Sequence, residues 1–273
     1  MSFQIKGFGS KQNEKSIAVS AYESQRKTAA PRKSIVQVRF PGKDMALAYY
    51  NDQFDLNIGD RVYVDGKLEG QQGRVVDISY NFKIKVSEYK KVIAVCDTDV
   101  SGQFFLAGSH FVSFAPATLP VRQIVLWFKA PGKKDDEEVV SSSDDTSFRL
   151  DDLSGMNITN AIAQRGYDYY IENRVQYICL DGANGYAIVE GNQCYAVEFE
   201  YRNGSISNLI CECPCCCSCK HEFAAMLQLR ETLELINKYY ALEYERSNYF
   251  AAITRGAFFS FAIDGKKSGT ITL

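Results

Sequence analysis

Residues 211–223, CECPCCCSCKHEF, place six of the chain's nine cysteines within nine positions and follow them with one of its two histidines. Their neighbours decide how the run is read. Upstream, Tyr195, Val197, Phe199 and Tyr201 alternate with Ala196, Glu198 and Glu200, the period of a half-buried strand. RNGS (202–205) is a tight hairpin signal, and residues 205–210 return as a second strand that ends at Cys211. Downstream, Phe223, Met226, Leu227, Leu233, Ile236 and Tyr240 recur at steps of three and four, an amphipathic helix. The cysteines therefore occupy a loop between a strand and a helix.

That position gives the thiols a chemical meaning. In extended chain, residues i and i+2 face the same side, so Cys211 and Cys213 can meet one cation while Glu212 faces away. Pro214 turns the chain. Cys219 and His221 then stand at the opening of the helix, where free N–H groups favour thiolate. Three thiolates and one imidazole complete a tetrahedron, the closed ligand set of structural zinc. Cys215, Cys216 and Cys217 are surplus to a four-coordinate site and read as spacer, the alternative being that they substitute as ligands or bind a second soft ion. Bridges between cysteines one or two residues apart are strained, so a disulfide explanation is disfavoured.

The remaining chain reads as α+β. The length of 273 residues suggests about two domains, and 46% hydrophobic residues suffice for a sizeable core. No run of about 18 apolar residues occurs and the start has no apolar signal region, so a cytoplasmic protein without membrane contact is expected. Residues 1–30 read as a basic flexible arm. Residues 31–130 read as a small antiparallel β-barrel: alternation at Val36, Val38 and Phe40 begins a series of short β-rich runs punctuated by Gly and Asp. Residues 92–95, 104–106, 111–114 and 124–128 extend it as further strands or a covering layer. Residues 131–147, with a DDEE run and a Ser cluster, read as an acidic linker at which two halves would separate. Residues 148–273 read as a helix, a β-meander, the cysteine loop, its helix, and two or three closing strands. Ser154 or Asn157 is placed to cap the first of those helices.

At this point the chain resembles a family. Cys211-x-Cys213, five residues, Cys219-x-His221 is similar to the SWIM-type zinc finger, C-x-C, spacer, C-x-H. AIAQRGYDYYIENRVQYICLDG before it and CKHEFAAML after it are similar to the flanking elements of bacterial SWIM proteins, over about residues 148–240. The resemblance implies zinc and a role in DNA binding or protein contact beside helicases, transposases or recombination factors, and it implies no enzyme. Residues 34–80 weakly resemble the N-terminal β-domain of primosomal replication-restart helicases, which holds a nucleic-acid 3′ end.

Charge adds a second line. The net charge is only -2, but residues 1–43 carry nine Lys or Arg against Glu14 and Glu23. Arg26, Lys27, Arg32, Lys33, Arg39 and Lys43 are therefore candidates for sequence-insensitive phosphate contacts with nucleic acid, DNA being the expected kind. The competing expectation is an interaction module in which zinc is purely structural and the finger docks a helicase, recombinase or other protein of DNA metabolism. The near-neutral total charge favours that version. No Walker loop, G-x-S-x-G or H-E-x-x-H is present, so neither an enzyme nor a small-molecule substrate is expected. His110 reads as a satisfied core histidine, and Asp97 with Asp99 as a solvated turn.

Overall fold

The computed structural model describes residues 31–132, 147–215, 217–264 and 271–272. The expected arm, most of the acidic linker and Cys216 lie outside the described residues. The architecture is mixed α+β with mostly antiparallel sheets.

The first sheet has five strands: β1 Ser34–Arg39, β2 Leu47–Asn51, β3 Arg61–Val64, β4 Gln72–Ser79 and β5 Val92–Cys96, in the order β2-β1-β4-β3-β5. Alternation works as read, since Val36, Val38, Phe40, Val62, Val64, Val75 and Val92 share one core. The expected barrel is corrected, because the sheet does not close. Its edges meet at a single parallel bridge between Tyr50 and Lys91. The physical reason lies on the outer face: Tyr63, Ala94 and Cys96 are apolar there and join a different core. The β3–β5 part of that face is covered by this packing, while its β1–β4 part, at Arg39 and Arg74, is exposed.

A second sheet takes strands from both sides of the acidic segment. It comprises β7 Phe105–Ala107, β8 His110–Ser113, β9 Phe148–Arg149, β10 Val175–Asp181, β11 Asn184–Glu190, β12 Cys194–Arg202, β13 Ser205–Cys211 and β14 Tyr249–Thr254, after a short β6 Gly102–Gln103. The order is β7-β8-β14-β10-β11-β12-β13-β9. The β12–β13 turn carries Asn203 at φ 52 and Gly204 at φ 82, the left-handed pair a two-residue hairpin requires.

Helices cover both faces. α1 Val121–Phe128 lies on one, burying Ile124 and Trp127, where extended chain was expected. α2 Asn160–Ile171 and α3 Lys220–Tyr239 pack together on the other, and α3 buries Ala224, Ala225, Met226, Leu229, Leu233 and Ile236 in the main core. Thr159, and neither Ser154 nor Asn157, caps α2, its hydroxyl accepting from the Ile162 N–H. A short α4 Ala241–Ser247 precedes β14. After β14 the tail forms α5 Arg255–Phe258, a wide turn over Phe259–Ile263, and β15 Ile271–Thr272 in parallel with β6, so helix replaces some of the expected closing strands.

The expected division at residues 131–147 does not separate one core from another. Tyr63, Ala94, Phe104, Phe111, Ile124 and Trp127 from before it pack with Tyr177, Cys179, Ile188, Tyr249, Ile253 and Phe258 from after it. His110, fully buried in β8, makes the same join: its Nε2 donates to the Val175 carbonyl (2.9 Å) and its Nδ1 accepts from Ser109 Oγ (3.0 Å). Both ring nitrogens are satisfied, as expected of a core histidine. Asp97 and Asp99 form a turn, with the Asp99 N–H donating to the Asp97 carboxylate (3.0 Å).

Candidate metal centre

The hairpin and the helix bring the four expected ligands to one place. Strand β13 pairs with β12 up to Cys211, opposite Val197, and Cys213 follows at the turn. Cys219 is the N-cap of α3 and His221 lies in its first turn. The ligand atoms of Cys211, Cys213, Cys219 and His221 all lie within 4.8 Å of one another. His221 Nδ1 stands 3.8 Å from Cys211 Sγ and 3.7 Å from Cys219 Sγ. With Zn–S of about 2.3 Å and Zn–N of about 2.0–2.1 Å, a tetrahedron has S···N edges of about 3.6 Å, so this donor spacing fits a four-coordinate metal.

The helix start is built for these residues. Glu222 accepts from the Cys219 N–H through Oε2 (2.7 Å), and its own N–H meets the Cys219 sulfur, a capping box in which the cap is also a ligand. Cys213, Cys219 and His221 are buried and Cys211 is partly so. Tyr195 lies beside the His221 ring at 4.7 Å and Tyr169 approaches edge-on at 5.6 Å. The remaining ring nitrogen, Nε2, is buried with no hydrogen-bond partner among the described residues. It faces Gly191, where a Cβ would come within 3.0 Å of it.

The electrostatics favour the uncharged forms of these groups, against the thiolate expected at the helix start. Contact with Cys211, then burial, then the Glu222 carboxylate raise the Cys219 thiol far above the ordinary range. Burial leads in pushing Cys213 up to about 12. Burial, followed by the Lys220 charge, lowers His221 to about 4, which keeps the imidazole neutral and able to ligate. Packed thiols resist ionising beside one another, and a divalent ion removes that resistance by displacing their protons.

Glu212 turns away from the cluster as expected. Its carboxylate accepts from the Ala196 N–H (2.9 Å) and pairs with Lys129, the residue after α1. Lys129 thus ties the cysteine loop to the first half of the chain. Nothing in the sequence signals it, because the contact spans 83 positions. Cys215 and Cys217 are exposed.

Gly166 of α2 explains how closely the second helix approaches. A Cβ there would lie 2.9 Å from the Lys220 carbonyl and 2.9 Å from Phe223 Cβ, neither of which can move aside cheaply. Gly166→Leu is therefore expected to wedge α2 from the first turn of α3 and cost about 1–3 kcal/mol. A lower denaturation midpoint together with faster metal loss to a chelator checks this, and unchanged metal retention would refute the link to the centre.

The basic candidates divide. Arg32 and Lys33 precede β1, with Arg32 over the Tyr80 ring at 4.1 Å. Arg39 and Lys43 stand at the opposite end, and all four are exposed. Arg26 and Lys27 lie outside the described residues. Among the described residues no helix is long and apolar enough to cross a membrane. No family model, curated protein or solved structure matches the chain.

Proposed function

We propose that the chain is a non-enzymatic, zinc-binding accessory protein of the SWIM-finger kind that holds nucleic acid by its phosphates without reading base sequence. The observation that carries the reading is the convergence of Cys211, Cys213, Cys219 and His221 within 4.8 Å. Zinc suits the donors: soft thiolates with one imidazole, in a closed set that leaves no open position for chemistry. Its work is structural, since it clamps the loop that joins β13 to α3 and adds its binding free energy to folding.

The nucleic-acid half of the proposal is supported by exposed bases close together in the sequence: Arg32, Lys33, Arg39 and Lys43, with Arg26 and Lys27 preceding them. Elemental analysis should return one zinc per chain. Fluorescence anisotropy with labelled single-stranded DNA should show binding that is weak, insensitive to base sequence and steep in salt. Each neutralised phosphate contributes about -0.7 to the slope for single strands, so three or four contacts give roughly -2 to -3. Deleting residues 2–30 should flatten that slope by about half and leave zinc content unchanged.

The net charge of -2 favours a second reading, a docking module for a protein of DNA metabolism. A flat anisotropy trace at low salt would select it.

A further inference from the structure

Three arginines stand in a row across the five-stranded sheet. Arg39 of β1 lies directly opposite Arg74 of β4, and Arg74 lies directly opposite Arg61 of β3. Residues so paired project to the same face with Cβ atoms about 4.5–5.5 Å apart, and like charges placed there repel. The row exists only because of a register shift between Gln37 and Val38, a bulge in the β1–β4 ladder. A bulge re-aims side chains, and it is a position where folds build function.

The inner member is fixed. Arg61 donates through Nη1 to Gln72 Oε1 (3.1 Å) and through Nη2 to the Ser260 carbonyl (2.8 Å) and hydroxyl (3.1 Å). Its guanidinium lies over the Phe261 ring at 4.3 Å, and its Nε is buried with no partner. Arg39 and Arg74 are exposed, and neither has an ion-pair partner among the described residues. Asp77, opposite Gln37, is on the same sheet face beyond the bulge, and the field of Asp264 reaches Arg61. Neither carboxylate sits within the row. Lys43 follows on the turn after β1, where its N–H donates to the Phe40 carbonyl (3.2 Å).

Guanidinium groups are suited to phosphate oxygens because their planar donors match them two at a time. Three of them carried on neighbouring strands in register, with no carboxylate between them, form a strip of positive charge about 10 Å long at a strand spacing of about 4.8 Å. We propose that Arg39, Arg74 and Arg61 are the phosphate-binding strip of this protein, taking successive phosphodiesters of a nucleic-acid strand laid across β1, β4 and β3. The strip rests on the nucleic-acid reading above and gives it an address. It also extends binding from the N-terminal segment, where the bases cluster in sequence, to a rigid sheet face.

The test compares the full chain with Arg39→Glu/Arg74→Glu, using a labelled single-stranded oligonucleotide across a salt series. Both positions are exposed and the change removes like-charge repulsion, so the melting temperature should not fall and serves as the folding control. Affinity at low salt should fall at least tenfold, and the salt slope should lose about 1.4, the share of two contacts. Lys67→Glu/Lys83→Glu applies the same change of net charge outside the row and should move the slope less than half as far. Equal effects of the two double variants would overturn the strip and leave general nucleic-acid binding standing. Absence of binding by the unaltered chain would overturn both. A separate arm adds pyrophosphate without oligonucleotide: a rise in melting temperature that needs Arg39 and Arg74, with no oligonucleotide binding, would make the row a site for small anions and also overturn the proposal.

Discussion

His221→Ala is expected to leave the purified protein without zinc and to lower its melting temperature by roughly 10 °C. The size follows from mass action. A metal present at about 1,000 times its dissociation constant stabilises the folded state by about 4 kcal/mol, and a chain of this size loses about 2–4 °C per kcal/mol. Cys219→Ser separates ligand from cap: serine preserves the hydrogen bond that opens α3, so a loss of metal in that variant is assigned to the missing thiolate. Cys213→Ser should behave like His221→Ala, whereas Cys216→Ser, in the spacer, should retain one zinc per chain. Full zinc retention in His221→Ala, or two zincs per chain in the unaltered protein, would refute the ligand set.

Acid should weaken the fold through His110. Burial, more than the nearby Arg255 charge, lowers its pKa from 6.5 to about 4, although its bond to the Val175 carbonyl opposes the shift. The unfolded chain therefore takes up this proton first as pH falls. Stability from His110 is complete above about pH 6.5 and declines by about 1.4 kcal/mol per unit down to about pH 4, a total of about 3 kcal/mol. Gln can keep a donor toward Val175 but cannot be protonated. In denaturant titrations, His110→Gln should thus show a shallower loss of stability between about pH 7 and pH 5, by about 2 kcal/mol. Parallel curves for the two proteins would show that His110 is not the group responsible. Zinc release at low pH is common to both and cancels in the comparison.

The candidate centre was legible because its four candidate ligands are local in sequence. Cys211 to His221 spans one hairpin strand, one turn and one helix cap, and each announces itself by spacing. The meander β10–β13 was legible for the same reason. What escaped was set by distant partners. VRQIVLWF (121–128) has the β-branched and aromatic content of a strand, yet it is helical because Ile124 and Trp127, three residues apart, fill one core together. Trp127 also donates from its ring N–H to the Asp97 carbonyl (2.6 Å), a contact no local pattern encodes. The arginine row was invisible for a different reason. Arg39, Arg61 and Arg74 are scattered along the chain, and a bulge, which has no signature here, decides that they align.

Strand β14, residues Tyr249–Thr254, sits between β8 and β10 and is buried at every position. The middle of the large sheet is therefore its last strand to leave the ribosome. At about 5–20 residues per second, the edges of β8 and β10 wait many seconds for their shared neighbour, since residues 110–181 are made long before it. Such edges pair readily with whatever extended chain arrives first. A nascent protein of this topology needs either shielding or speed until its C-terminal segment emerges, and a truncation before residue 249 would remove the keystone rather than trim a tail.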